Sequence, residues 1–230
     1  MMNRKKPYLY KRFIAFVIDL LIVTLLSGII SLIFTDSERY DSSSEKLIEL
    51  TRKFTASEVE RDDYYKEFDE LNYTLTKESL SVTIITCGVT VVYFVVLSYF
   101  CNGITLGKYI MKLRIKSAKD KKLNILNYLL RSLLVNMLLS NLASIILVSV
   151  LSKDSFIAVY PKVSNAITIC MLLSVLFMLY RDDGRGIHDL MGSTVVVNMK
   201  DEEENSSIEE AKVIEEKPKR GRKKKEVGEK

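Results

Sequence analysis

Four stretches of this chain are apolar for the length of a bilayer crossing, and the segments between them carry nearly all the charge. They fall at about residues 13–34, 80–100, 131–152 and 163–180, each near the roughly 20 apolar residues that a membrane helix requires. The pattern predicts an all-α integral membrane protein with four transmembrane helices, an external helical insertion at 35–79 and a small cytoplasmic two-stranded β element. Residues 1–11 are expected to form a cytoplasmic amino terminus, 101–130 a cytoplasmic loop, and 200–230 a disordered, charged cytoplasmic tail.

Two of the intervening segments have a period of their own. Within 35–79, Tyr64, Phe68, Leu71 and Leu75 recur at helical spacing, and Ser57 followed by Glu60 has the form of a capping box that starts this helix. A shorter helix is expected from Ser42, with Glu45 as its reciprocal cap and Leu47, Leu50 and Phe54 as its stripe. Within 101–130, Met111, Leu113 and Ile115 alternate with Lys112, Arg114 and Lys116, the period of a strand with one apolar and one basic face. A β-rich run at 193–199 follows the fourth span. The two runs are predicted to pair, with Ile115 and Val196 within crosslinking distance and the basic side chains turned to lipid phosphates or water.

Charge sets the orientation. Arg4, Lys5, Lys6, Lys11 and Arg12 precede the first span, and Lys108, Lys112, Arg114, Lys116, Lys119, Lys121 and Lys122 follow the second. The positive-inside rule therefore places both segments, and the carboxyl terminus, in the cytoplasm. The insertion is acidic, through Glu58, Glu60, Asp62, Asp63, Glu67, Asp69 and Glu70. The first stretch is too long for the apolar region of a signal peptide and meets no small-residue cleavage site, so it is expected to stay in the mature chain. Too few apolar residues follow Asp201 for a packed core, and the basic run at 217–225 suits anionic lipid headgroups; nucleic acid is not an expected partner. Tryptophan is absent, which leaves Tyr8, Tyr10, Tyr93, Tyr99, Tyr128 and Tyr180 as expected interfacial anchors. Cys87, Cys101 and Cys170 have no paired spacing and read as packing residues.

The first span alone holds an acid deep inside it, Asp19, with Arg12 at its threshold. An ionised side chain there costs about 2.5 to 3.5 kcal/mol on insertion scales unless it is paired or faces a wet cavity. Arg12 and Asp19 share a helix face but lie about 10 Å apart along the axis, so each needs a partner from elsewhere. Arg131, opening the third span, and Arg12 are the cations best placed to approach Asp19, and Asp189, just past the fourth span, is the natural partner of Arg12. The expectation is a cytoplasmic-side polar cluster of Arg12, Asp19, Arg131 and Asp189. The run 103–108 is too short for a phosphate loop. Instead Gly103 is expected to end the second span, Thr105 to cap a short interfacial helix that Gly107 enters, and Lys108 to anchor it to phosphates. His188, the single histidine, stands beside Asp189 without a recognisable nucleophile. No enzyme activity, metal or cofactor is expected.

Taken together, Arg12, Asp19, the Gly-x-Thr-Leu-Gly-Lys run at 103–108, Arg131, and the runs 186–190 and 192–196 resemble the RDD family of prokaryotic membrane proteins over residues 8–199. That family is named for an arginine and two aspartates, which map here to Arg12, Asp19 and Asp189. The resemblance implies a multi-pass domain of the cytoplasmic membrane; cation/proton antiport is proposed for some members and regulation of membrane proteases for others. Under transport, a proton and a monovalent cation such as sodium would compete for Asp19, with Thr24, Ser27 and Ser31 as a hydroxyl line leading outward. Under binding, the acidic insertion or the tail would grip a membrane-protein partner. Four helices leave little room for a central pathway unless the protein forms a homodimer.

Overall fold

Helix α1 (Leu9–Phe34) buries one side chain per turn, at Ala15, Asp19, Val23, Ser27 and Ser31, and leaves most of its remaining circumference apolar and exposed. A computed structural model of the chain, describing residues 9–34, 38–119 and 121–201, shows what that stripe meets. Small side chains at this spacing allow another helix to approach closely, as contacts between membrane helices require. The partner is α4 (Leu80–Val91), which continues through a π-helical segment (Val92–Leu97) and α5 (Ser98–Phe100) as a rod of 21 residues. Thr24, expected on the hydroxyl line, is exposed because it sits one position, or about 100°, off the stripe.

The third apolar segment is not a straight span. It is divided into α7 (Ile125–Val135) and α8 (Leu138–Val150), bent by 76° at Asn136 and Met137. Met137 has φ of 54°, a left-handed conformation through which a right-handed helix cannot run. α7 begins at Ile125, so Arg131 lies inside it instead of at its mouth. Helix α9 (Lys153–Tyr180) then takes in residues 153–162, which lay between the expected third and fourth spans, with Pro161 inside the helix. Extended Ser152 precedes it, and Asp154 in its first turn faces the positive end of the helix dipole. Among the described residues, three helices are long and apolar enough to cross a membrane, or four if the bent pair counts as one span. α1 packs on α4, α4 on α8 and α8 on α9, whereas α1 and α9 are not among the packed pairs, so the row stays open on that side.

At one end of the row, α2 (Glu38–Thr55) and α3 (Arg61–Glu78) form a helical hairpin in which Phe54 stacks on Tyr64 with ring centroids 4.1 Å apart. The hairpin differs from expectation at both starts. α2 begins at Glu38, before Ser42, and Ser57 does not cap α3. With φ of 59°, Ser57 ends α2 instead, while the next N–H, from Glu58, donates to the Lys53 carbonyl at 3.0 Å.

The opposite end is closed by α6 (Leu106–Ile110), β1 (Leu113–Ser117), α10 (Ile187–Met191) and β2 (Thr194–Asn198). The strands pair antiparallel with Ile115 opposite Val196. Leu113 and Val196 pack on Ala15 of α1, and Ile115 packs on Val95 and Tyr128. Each such side chain removed from water contributes about 1.5–3 kcal/mol. On the other face of β1, Arg114 and Lys116 are half-buried. Gly103 makes the close approach possible: its φ of 84° ends the rod, and a Cβ there would lie 2.2 Å from the Ile115 carbonyl oxygen. Two expected anchors are core residues, since Tyr93 and Tyr128 are buried, whereas Tyr10, Tyr99 and Tyr180 are exposed. Cys101 and Cys170 are likewise exposed, and Cys87 is half-buried. Arg4, Lys5, Lys6, Tyr8 and the tail from residue 202 lie outside the described residues.

Candidate functional site

The residues expected to form one cluster form two adjoining ones, each centred on a buried carboxylate. Asp19, 1% exposed, receives no arginine among the described residues. Its Oδ1 accepts the Tyr93 hydroxyl at 2.7 Å and the Gly107 N–H at 2.7 Å, and its Oδ2 accepts the Thr105 hydroxyl at 2.6 Å. The carboxylate thereby caps α6, whose own cap residue, Thr105, has turned its hydroxyl to Asp19. Gly107 is required by the contact, because a Cβ would sit 2.2 Å from the Ala15 carbonyl oxygen and 2.8 Å from Asp19 Oδ1. Tyr93 comes from the π-helical segment, where three consecutive residues, Tyr93, Phe94 and Val95, are all buried between neighbours on different sides.

The cation beside Asp19 is Lys108, with Nζ 3.7 Å from Oδ2 and 3.0 Å from the Thr105 hydroxyl. Its ammonium lies 5.8 Å from the Phe94 ring centroid. The anchoring to lipid phosphates expected of Lys108 is thus replaced by an inward contact. Burial pushes its pKa down to about 8, against the opposing pull of the Asp19 charge.

Asp189, fully buried, holds the arginines. Arg12 Nη2 donates to its Oδ2 at 2.6 Å, and Arg131 Nη1 donates to its Oδ1. Arg12 also donates to the Gly184 carbonyl, and Arg131 to the Thr194 hydroxyl at 3.0 Å. Asp189 additionally accepts the Gly186 N–H at 3.3 Å and so caps α10. This ion triad joins α1, α7, α10 and β2. Arg131, placed by expectation near Asp19, goes to Asp189 because α7 starts early and carries it into the middle of the helix, over α10.

His188 completes an arrangement with some likeness to a catalytic triad. Its Nδ1 is 2.6 Å from the Ser174 hydroxyl, and its Nε2 is 3.4 Å from Asp189 Oδ2. Burial, and after it the charges of Arg131 and Arg12, hold the imidazole far below its ordinary pKa, so it is a poor general base at neutral pH. The Ser174 hydroxyl also accepts the His188 backbone N–H at 3.3 Å. The chain of bonds therefore ties α10 to α9. Asp183 lies apart from this group, bonded to Arg181 and Arg185, with its carboxyl held well below the usual range by the Arg181 hydrogen bonds first.

Tyr93, Thr194 and Ser174 were missed from the sequence. For Tyr93 a signal existed: it lies as many residues before Phe100 as Asp19 lies after Arg12, a similar depth of about 10 Å. Thr194 and Ser174 carry no comparable mark, being a β-branched strand residue and a hydroxyl in a long apolar helix.

Long apolar helices seated on a charged, sheet-floored end, with buried acids clamped by cations and hydroxyls, define a helical membrane protein. The RDD family model matches residues 6–193, and the chain belongs to the RDD family. No curated protein and no solved structure matches it.

Proposed function

We propose that this RDD protein is a non-enzymatic, multi-pass membrane module that binds other molecules and does not exchange cations, with its sheet end in the cytoplasm. The supporting observation is the condition of the two buried carboxylates. Both oxygens of Asp19 and both of Asp189 are engaged by donors from the protein itself. Arg12, Arg131 and Lys108 set against Asp19 and Asp189, three positive charges less two negative, leave the region formally +1. A sodium ion would have to displace three hydrogen bonds at Asp19 beside a lysine. The orientation follows from the basic residues of 101–130.

Transport keeps one observation in its favour, the break between α7 and α8, because discontinuous helices line substrate sites in many transporters. Proton flux in proteoliposomes under an imposed sodium or potassium gradient separates the readings. The binding reading expects flux equal to that of empty liposomes. Flux in the wild type that is lost in Asp19→Asn, with the variant still folded, would overturn it.

A further inference from the structure

A cavity of about 270 Å³ lies between the carboxylate clusters and the open side of the helix row. Its polar end is formed by Arg12, Asp19, Lys108, Arg131 and His188. Its walls are apolar, with Phe13 and Phe16 from α1 facing Met171, Val175 and Met178 from α9. α1 and α9, the two ends of the row, make at most slight contact with each other. Phe13 is 67% exposed and Val175 48% exposed although both line the cavity, so its rim reaches the exposed faces of these two helices.

The polar end offers donors and no free carboxylate. The hydrogen bonds of Arg131 leave from Nη1, to Asp189 and Thr194, and among the described residues none engages its Nε or Nη2. Lys108 gives one hydrogen bond, to Thr105, and keeps further N–H donors. An independent observation lies on the same lining: Asn136, at the α7–α8 break, has a buried Oδ1 that meets no donor among the described residues. Guanidinium and ammonium donors at the end of an apolar slot suit a phosphate monoester, to which charge-assisted bonds are strongest. The volume is just below the roughly 300–1,000 Å³ of small-molecule sites, which accommodates a headgroup and the start of one chain but not two.

We infer that this cavity binds a single-chain anionic lipid that enters from the bilayer between α1 and α9, its phosphate at Arg131 and Lys108 and its free glycerol hydroxyl donating to Asn136. The inference rests on the binding reading above and names the ligand of that module. The hydroxyl assignment follows from position, since Asn136 lies five residues beyond Arg131, at the end of α7, and lines the same cavity. The apolar walls favour a lipid over a free phosphate, because an ion alone would leave most of the cavity unfilled.

The test uses the full chain in phosphatidylcholine nanodiscs and measures retention of lysophosphatidic acid, lysophosphatidylcholine and inorganic phosphate. Lysophosphatidic acid should be held at least about tenfold more tightly than lysophosphatidylcholine, a difference on the scale of one charge-assisted contact, and inorganic phosphate should not be retained. Val175→Trp, which narrows the slot without touching the ion clusters, and Asn136→Leu should each weaken retention severalfold. Arg131→Gln should abolish it, and Val175→Trp keeps the test valid if Arg131→Gln fails to fold. Equal retention of the two lysolipids would overturn the inference, as would binding indifferent to both Val175→Trp and Asn136→Leu, or inorganic phosphate binding as tightly as the lipid. A second copy of the chain in the slot, detected by lipid-independent disulfide formation between cysteines placed at Val175, would overturn it as well. Cation-driven proton flux would count against the binding module alone, because lipid retention is read without any gradient.

Discussion

Two buried aspartates a short distance apart are stabilised in opposite ways. Asp189 is held by formal charge, with an arginine on each oxygen, and it fastens three elements at once. Asp19 is held by neutral groups, a phenol, a hydroxyl and a backbone N–H, with its lysine farther off at 3.7 Å. The difference separates two tasks. Opposing charges in a desolvated site tolerate the loss of a partner badly, since the remaining ion is stranded. A carboxylate surrounded by several weaker donors loses them one at a time. Asp189 thus acts as an ionic rivet between α1, α7 and α10, and Asp19 as a positioning acid that sets α6 against α1.

The largest effect should come from breaking the rivet. Asp189→Asn leaves Arg12 and Arg131 buried, facing each other without a counter-ion, and should destabilise the protein by about 3–5 kcal/mol, read as thermal unfolding in detergent. Tyr93→Phe removes one neutral donor from Asp19 and should cost about 1.5–3 kcal/mol. If Tyr93→Phe proved as damaging as Asp189→Asn, the contrast between the two sites would be wrong. Gly107→Ala tests the same site through space: the added methyl meets the Ala15 carbonyl, a backbone atom that cannot turn aside, with an overpacking cost of about 1–3 kcal/mol.

A weaker effect concerns pH. Because the buried His188 ring stays neutral well below its ordinary value, the unfolded chain alone takes up its proton as pH falls through about 6.5, so stability should decline with acidification through that value. His188→Asn, which keeps a polar atom near Ser174, should flatten that part of a pH–melting curve. The smallest effect is expected at the hairpin end. There Lys153 and Glu70 pair at 2.9 Å in solvent, and Lys153→Ala should leave the melting temperature unchanged within error.

Much of this architecture was legible in the chain itself. Apolar runs marked the helical rods, the alternation from Met111 to Lys116 marked a strand, and the β-rich run after the fourth span supplied its partner, in the register that places Ile115 opposite Val196. Arg12 could be matched to Asp189 because each stood just beyond the apolar length of its helix, on the basic side. Arg131 was harder. Its destination depended on where α7 began and on the bend at Asn136, and the run at 132–152 contains neither glycine nor proline to announce a break. The Asp19 site was half legible: Thr105, Gly107 and Lys108 were singled out, but as a cap, a residue of a short interfacial helix and a lipid anchor, each reading local to its own segment.

Periodicity and charge placement determined which residues are helical, which side is basic and which ionised groups had to find partners, since these follow from properties that every residue carries with it. Which partner each group found was decided only by the packed chain. A hydrogen bond to Asp19 needs Tyr93 rotated inward by a π-helical segment and α6 brought to within a Cβ's width of α1, and those distances belong to three segments together and to none alone.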